Sequence, residues 1–434
     1  MNADVVLSTS QEVGSSGIVN VLTVKHGSFG DNSEGIFQVK YEHVGVGNLR
    51  PPEVMDGYVF GILFFAMQGA KRIVVEGPIS DLAIRNAWSL GEAWHNLVPH
   101  LYEPVIIESD EVVSSSSPTF RGHLHSSEGA IAAFSGGVDA MFTTLRHTDG
   151  SLGSASIPIT DLLMVHGFDV ALDNQCAFDE LTKRTERFVE EVGLHRHVVK
   201  TNLKSVANQN WEHSFAAQLA SVLHQFSNQM QTGVIGSSEP YDSPVPIWGS
   251  SPGTDYLLGG TGFSIVHDGA GYSRTEKVKL LSKNESARRS IKVCWEGINQ
   301  GRNCGVCEKC IRTKLNFLAV GVTLPECFDQ GLSEQSIYGL KVHNDAQLNE
   351  LKSIIHYVDK NQCSDRRFEI LREHLYNLTL TQQRDELTQQ RDELTQQRDE
   401  LTQERDELLN STIWKVTKPI RWIINLIKSQ CPKK

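Results

Sequence analysis

No stretch of the 434-residue chain is long and apolar enough to match the roughly 18 residues a plain transmembrane helix needs. The start, MNADVVLSTSQEVG, lacks both the basic opening and the apolar core of a secretory signal, so a cytoplasmic location is expected. Positive charge is in deficit. Lys and Arg number 41 against 52 Asp and Glu, and the net charge of −11 argues against a general nucleic-acid binder, so no nucleic-acid partner is expected. Two common phosphate-binding patterns, GxxxxGK[ST] and GxGxxG, are also missing. Cysteine is scarce, with eight in all, yet four of them fall between residues 294 and 310, which points to metal rather than disulfides. The remainder, 39% apolar and 21% charged, is globular composition with length for more than one domain.

Residues 1–110 mix strand-like stretches (Ile18 to Val24, Gly35 to Tyr41, Arg72 to Val75, Pro104 to Ile107) with helix-like ones (Val54 to Met67, Leu82 to Trp94), the pattern of a small α/β domain. The apolar run Tyr58 to Met67 is too short to cross a bilayer and reads as a buried helix. Residues 111–128, with Ser114 to Ser117 in series, read as a linker. From 129 to 325 strands and helices alternate, which predicts a parallel sheet covered by helices on both faces. Ligands on such sheets gather at the carboxyl ends of the strands. Four predicted strands (Ile131 to Phe134, Asp161 to Val165, His197 to Lys200, Gly233 to Ile235) each end in a small or polar cluster. The second cluster is His166-Gly167-Phe168-Asp169, the third Thr201-Asn202-Leu203, and the fourth Gly236-Ser237-Ser238-Glu239. Any one is an ordinary turn; four on one sheet edge define a candidate nucleotide site.

The first cluster is the most telling. In Ser135-Gly136-Gly137-Val138-Asp139, two glycines let the backbone approach an anion, Ser135 adds a hydroxyl, and a helix predicted from about Asp139 points free N–H groups at the same place. A plain glycine-rich turn is the alternative. The spacing SGGxD resembles the pyrophosphate-binding loop of the N-type ATP pyrophosphatases (PP-loop proteins), which adenylate a carboxyl or carbonyl oxygen and release pyrophosphate. Many members carry Ser or Thr after the aspartate, where this chain has Ala140. A lost donor beside a developing anion can cost about 10²-fold in rate.

In VCWEGINQGRNCGVCEKCIRT, Cys304, Cys307 and Cys310 are two residues apart, so one tight knuckle presents all three, and Cys294 can close a tetrahedron around zinc. An iron–sulfur cluster is the rival occupant. Cys176, Cys327, Cys363 and Cys431 stand alone and read as plain thiols. SGGVD followed by C…CxxCxxC resembles 7-cyano-7-deazaguanine synthase and its relatives over roughly residues 129–325. A looser group of bacterial PP-loop proteins with HGFD, TNL and NCGxCEKCxRT segments is also similar.

The resemblance implies an adenine nucleotide alpha hydrolase-like (HUP/PP-loop) core, ATP with Mg2+, and a four-cysteine Zn2+ site. It implies an ATP-dependent ligase that adenylates a small carboxylic acid, releases pyrophosphate and accepts a nitrogen nucleophile. By the same resemblance Ser135, Gly136, Gly137 and Val138 hold pyrophosphate, Asp139 helps bind magnesium, and main-chain groups around Val165 and His166 hold adenine. Lys277 would neutralise phosphate, with a solvated lysine as the alternative, and His267 and Asp268 are candidate polar groups on the substrate side. A sulfur-inserting PP-loop enzyme and a non-catalytic nucleotide-binding scaffold remain open as alternatives.

Residues 335–376 predict helices at Ala346 to Val358 and Arg366 to Tyr376. Within 377–410 the unit LTQQRDE repeats, with Leu380, Leu387, Leu394, Leu401 and Leu408 in a strict heptad. Leucine at a, arginine at e and glutamate at g favour a short parallel homo-oligomeric coiled coil over a solvated single helix. The tail, 411–434, has six basic and no acidic residues among tryptophans and isoleucines. It suits either an anionic membrane surface or a docking site on protein. Its wording, SxxWKVTKPIR, resembles the C-terminal ends of bacterial surface-polysaccharide glycosyltransferases, which implies work near envelope polysaccharide biosynthesis.

Overall fold

The computed structural model describes residues 4–45, 50–114, 129–243, 245–297 and 300–430, so most of the expected linker, and Cys431, lie outside the described residues. The chain divides into two compact units, Met1–Phe368 and Glu369–Lys434.

The first unit is built on strands β1 (Asp4–Val13), β2 (Gly17–His26), β3 (Gly35–Val44), β4 (Arg72–Val75), β5 (Ile79–Ser80), β6 (Ile106–Ser109), β7 (Val112–Val113), β8 (Ala130–Ala133), β9 (Ile159–His166), β10 (His195–Thr201), β11 (Thr232–Gly236) and β12 (Ser264–Asp268). Ten of them form one mostly parallel sheet in the order β12-β11-β8-β9-β10-β3-β2-β1-β4-β6, and β5 pairs with β7 apart from it. The strands read from the sequence fall within three residues of β2, β3, β4, β6 and β8 to β11, whereas β1, β5, β7 and β12 were not predicted. No break in the sheet follows residue 110. β3 pairs antiparallel with β10, matching Val199 to His43 and Thr201 to Tyr41, so the N-terminal strands extend the central sheet instead of closing one of their own.

The helix Asp56–Ala66 shows why. It is apolar on every side and buried at every residue, as an all-round apolar helix must be. Gly57 and Gly61 let it press against Trp211–Leu223: a Cβ at Gly57 would meet His224 Cβ at 2.3 Å, and one at Gly61 would meet Ser221 Oγ at 2.6 Å. Tyr41 Oη lies 2.8 Å from Ser221 Oγ, which ties β3 into the same contact. One apolar core thus spans both halves of the unit, from Val5 on β1 to Ile265 on β12.

In the second unit, the helix Arg366–Asn410 runs 45 residues, about 68 Å. Its heptad leucines stand exposed, from 45% at Leu380 to 65% at Leu387, and nothing among the described residues buries the stripe. The arginines lie against the next residue, as in Arg391 to Asp392 at 2.7 Å, and glutamines reach glutamates one turn on, as in Gln389 to Glu393 at 2.9 Å. No helix of the described residues is long and apolar enough to cross a membrane.

Candidate functional site

The loop after β8 is shaped by its two glycines. Gly136 has φ +75, and a Cβ there would come within 3.0 Å of Thr185, so only glycine fits without displacement. Gly137 is extended and begins the helix Val138–Thr148, which no side chain caps; its first-turn N–H groups are left to face whatever lies in front of the loop. There a cleft of about 620 Å³ opens along the carboxyl ends of β8, β9 and β11, and Ser135, Gly137, Asp139 and Ala140 line it.

Asp139 is held by two cations. Arg274 donates to Oδ2 at 2.8 Å and Lys277 to Oδ1 at 3.0 Å. Burial raises the carboxyl, but the two cations outweigh it and hold Asp139 below the usual carboxylate range. Lys277 is fully buried and also donates to the Ser237 carbonyl. It is neither a solvated lysine nor a wall of the cleft: its ammonium fixes Asp139 from behind, while Arg274 lines the cavity beside the loop. The capping box Ser273/Glu276 starts this helix and sets Arg274 and Lys277 three residues apart on one face. Sequence reasoning missed Arg274, although the Ser273/Glu276 spacing is a capping signal that could have placed it.

Two of the polar strand ends read from the sequence also line the cleft, through Phe168 and Asp169 after β9 and Gly236, Ser238 and Glu239 after β11, whereas Lys204, Trp211, Lys292 and Trp295 were not singled out for it. Beside Asp139, burial and the Asp139 charge push Glu239 up to about 7. Arg312 lies across from it, paired to Glu308 and Glu350. Further along, Lys204 donates to the Phe168 carbonyl at 2.9 Å and sits 4.1 Å from the Trp211 ring centre. Burial pushes Lys292 down to about 8, and its ammonium stacks 3.7 Å from the Trp295 ring centre. Asp169 faces Lys309, Lys204 and Lys292, yet burial still pushes it up. One end of the cleft is thus a charged frame about the loop, and the other an aromatic and lysine-rich wall.

The other expected residues divide. Val165 lines the cleft, as expected of the segment whose main chain was assigned to adenine, and the neighbouring His166 ring is buried, stacked on Phe178 at 4.4 Å and donating to the Ala171 carbonyl at 2.9 Å. His267 and Asp268 belong to β12 and do not line the cleft. His267 Nδ1 lies 2.7 Å from Asp255, and Asp268 accepts from Thr143 at 2.8 Å and contacts His147 at 3.1 Å. Both are polar ties inside the fold, made by partners too distant in sequence to be anticipated.

The four cysteines come together as their spacing predicted. Cys307 caps the helix Glu308–Ala319 and Cys310 sits in its first turn, while Gly305 at φ +80 turns the knuckle. The sulfurs of Cys294, Cys304, Cys307 and Cys310 all lie within 4.8 Å of one another, and Cys304 and Cys310 are 3.9 Å apart. Four sulfurs held at about 2.3 Å around one ion stand about 3.8 Å apart. The site therefore fits a single metal ion such as zinc. A multi-iron cluster sets its own atoms between the thiols and needs them wider. Backbone N–H groups of Cys304, Gly305 and Cys307 donate to the sulfurs at 3.2, 3.4 and 3.3 Å, as thiolates require. Cys176, Cys327 and Cys363 are free thiols outside this group. Magnesium is different. Asp139, the residue expected to help bind it, has a cation on each oxygen in this structure, Arg274 on Oδ2 and Lys277 on Oδ1.

The knuckle is tied to the loop. Lys292 N–H donates to the Gly136 carbonyl at 2.9 Å, two residues before Cys294. Asn303 secures the same segment, accepting from Val293 N–H at 2.9 Å and donating to the Ile291 and Cys327 carbonyls at 2.9 and 3.1 Å. No family model matches the chain, and no curated protein or solved structure is detectably similar to it.

Proposed function

We propose that the cleft binds ATP and that the protein is an ATP-dependent ligase of the HUP/PP-loop type, similar to 7-cyano-7-deazaguanine synthase. The observation that carries this reading is the uncapped helix start behind Gly136 and Gly137, facing the cleft beside Arg274. An oxygen of the substrate carboxylate (or carbonyl) attacks the α-phosphorus, the bond to the β-phosphate oxygen breaks, and pyrophosphate leaves onto the loop. A nitrogen nucleophile then attacks the activated carbon, AMP leaves with the bonding pair, and the nitrogen gives up a proton. The first-turn N–H groups, the Ser135 hydroxyl and Arg274 offset the charge of the departing pyrophosphate. Zinc in the four-cysteine site is structural: with four protein ligands it has no open position for substrate. Sulfur insertion is the variant of the same activation.

The engaged oxygens of Asp139, together with Ala140, favour a second reading, a nucleotide-binding scaffold in a surface-polysaccharide pathway. Pyrophosphate release from ATP, measured against a panel of small carboxylic acids with ammonium as nucleophile, separates the two. The ligase releases pyrophosphate with at least one acid, and Gly136→Ala lowers that release by about 10²-fold or more. Tight ATP binding with no release for any acid supports the scaffold.

In either reading the chain is a homo-oligomer through the coil and works in the cytoplasm, peripheral to the inner face of the membrane. The exposed leucine stripe supports the first point. Sedimentation of the chain cut after Tyr376 is expected to give a smaller species than the full chain; an unchanged oligomer removes the coil as its cause.

A further inference from the structure

We infer that the helix Lys418–Gln430 lies in the headgroup layer of an anionic bilayer, a partner assignment that rests on the peripheral location proposed above. At 13 residues the helix is about 20 Å long, too short to span a hydrocarbon core of about 30 Å, so it lies in the membrane plane. Helical spacing puts Ile420, Trp422, Ile423, Ile424 and Leu426 on one side and Lys418, Arg421 and Asn425 on the other. Ile420, Trp422, Ile423 and Ile424 are exposed, from 45% at Ile424 to 68% at Trp422, so among the described residues nothing covers these four. Arg421 packs 3.4 Å from the Trp414 ring centre and donates to the Trp414 carbonyl, joining the short helix Thr412–Val416 to the same element. Trp422 lies on the apolar face and Trp414 beside Arg421, and tryptophan is the side chain that favours the interface between lipid and water.

Charge favours an anionic surface over a second copy of the tail. Residues 411–434 carry six basic and no acidic groups in a chain of net charge −11, so the rest of the chain is more acidic still. An anionic surface attracts the tail and repels the rest, which confines contact to this element. A second copy of the tail would bring like charge against like, so self-association is disfavoured. Coil-mediated oligomers would place several tails on one surface, which multiplies a weak single contact.

The test is co-sedimentation of the full chain with phosphatidylcholine vesicles, with and without about one third phosphatidylglycerol. Binding is expected to be at least about tenfold stronger to the anionic vesicles and to fall with added salt. Ile423→Asp should abolish it and Lys418→Glu should weaken it. Equal binding to both vesicle types overturns the anionic partner while leaving a peripheral location standing, and binding to neither overturns both. If Ile423→Asp changes the sedimentation of the chain without lipid, the face is covered by a second copy and the inference fails. None of these results bears on pyrophosphate release, so the ligase reading is judged separately.

Discussion

On the proposed function, replacing Cys304 by serine is expected to empty the four-cysteine site and to loosen the Ser135–Asp139 loop with it. The Cys304 sulfur sits 3.9 Å from that of Cys310 and accepts the Cys307 N–H at 3.3 Å, so it is central to the cage. A serine hydroxyl is a poor ligand for a site that thiolates define, and the remaining cysteines, two of them buried, would be left crowded without an ion. Structural zinc supplies about 10–16 kcal/mol of binding energy in small metal-folded peptides. In a unit with its own core only part of that is felt, and a fall in Tm of about 10 °C or more is expected. The distinctive effect is on ligand. Because Lys292 N–H holds the Gly136 carbonyl from a segment that ends at Cys294, loss of the ion frees one side of the loop. Pyrophosphate affinity should fall by about tenfold or more. Chelation of the wild-type metal should reproduce both changes. Metal content falling to zero with melting and pyrophosphate binding unchanged would overturn the structural link.

What could be read in the sequence was mostly local. The glycines of the loop, the thiol spacing and the all-round apolar run at Tyr58 to Met67 each require one conformation whatever surrounds them, and the structure has them so. The strands β8 to β11 were bounded by their polar ends for the same reason. What escaped was set by pairing across distance. The join of β3 to β10 depends on residues 156 apart, such as His43 and Val199, and neither strand announces its neighbour. His267 reads as a loop residue until Asp255 and the pairing of β12 with β11 place it inside the fold. Asp161 and His197, 2.6 Å apart on adjacent strands, form a further hydrogen bond of this kind. The heptad leucines are the opposite case: their period is plain, but the partner that would bury them is absent from a single chain.

Lys277 concentrates that lesson, because SRTEKVKLL looks like a charged surface helix, yet this lysine is fully buried against a carboxylate 138 residues earlier. Replacing it by methionine keeps most of the aliphatic stem and removes the ammonium, so the loss reports on the charge rather than on packing. Asp139 would keep Arg274 but lose its Oδ1 partner, and the Ser237 carbonyl would lose its donor. Breaking a buried ion pair on one side costs about 3–5 kcal/mol, and a fall in Tm of about 5–10 °C is expected. The effect has a pH signature. The folded carboxyl of Asp139 is held below its unfolded value, so its stabilisation is fully present above about pH 4 and fades as pH falls through the lower folded value. The gap between wild type and Lys277→Met should therefore be largest near neutral pH and narrow in acid. In Asp139→Asn the lysine is the member left without a full partner, and the double variant should cost less than the sum of the two singles by about 1 kcal/mol or more. Additive losses would mean that Lys277 acts through the Ser237 carbonyl alone. A methionine variant that melts like wild type at neutral pH would remove the clamp that joins this helix to the phosphate loop.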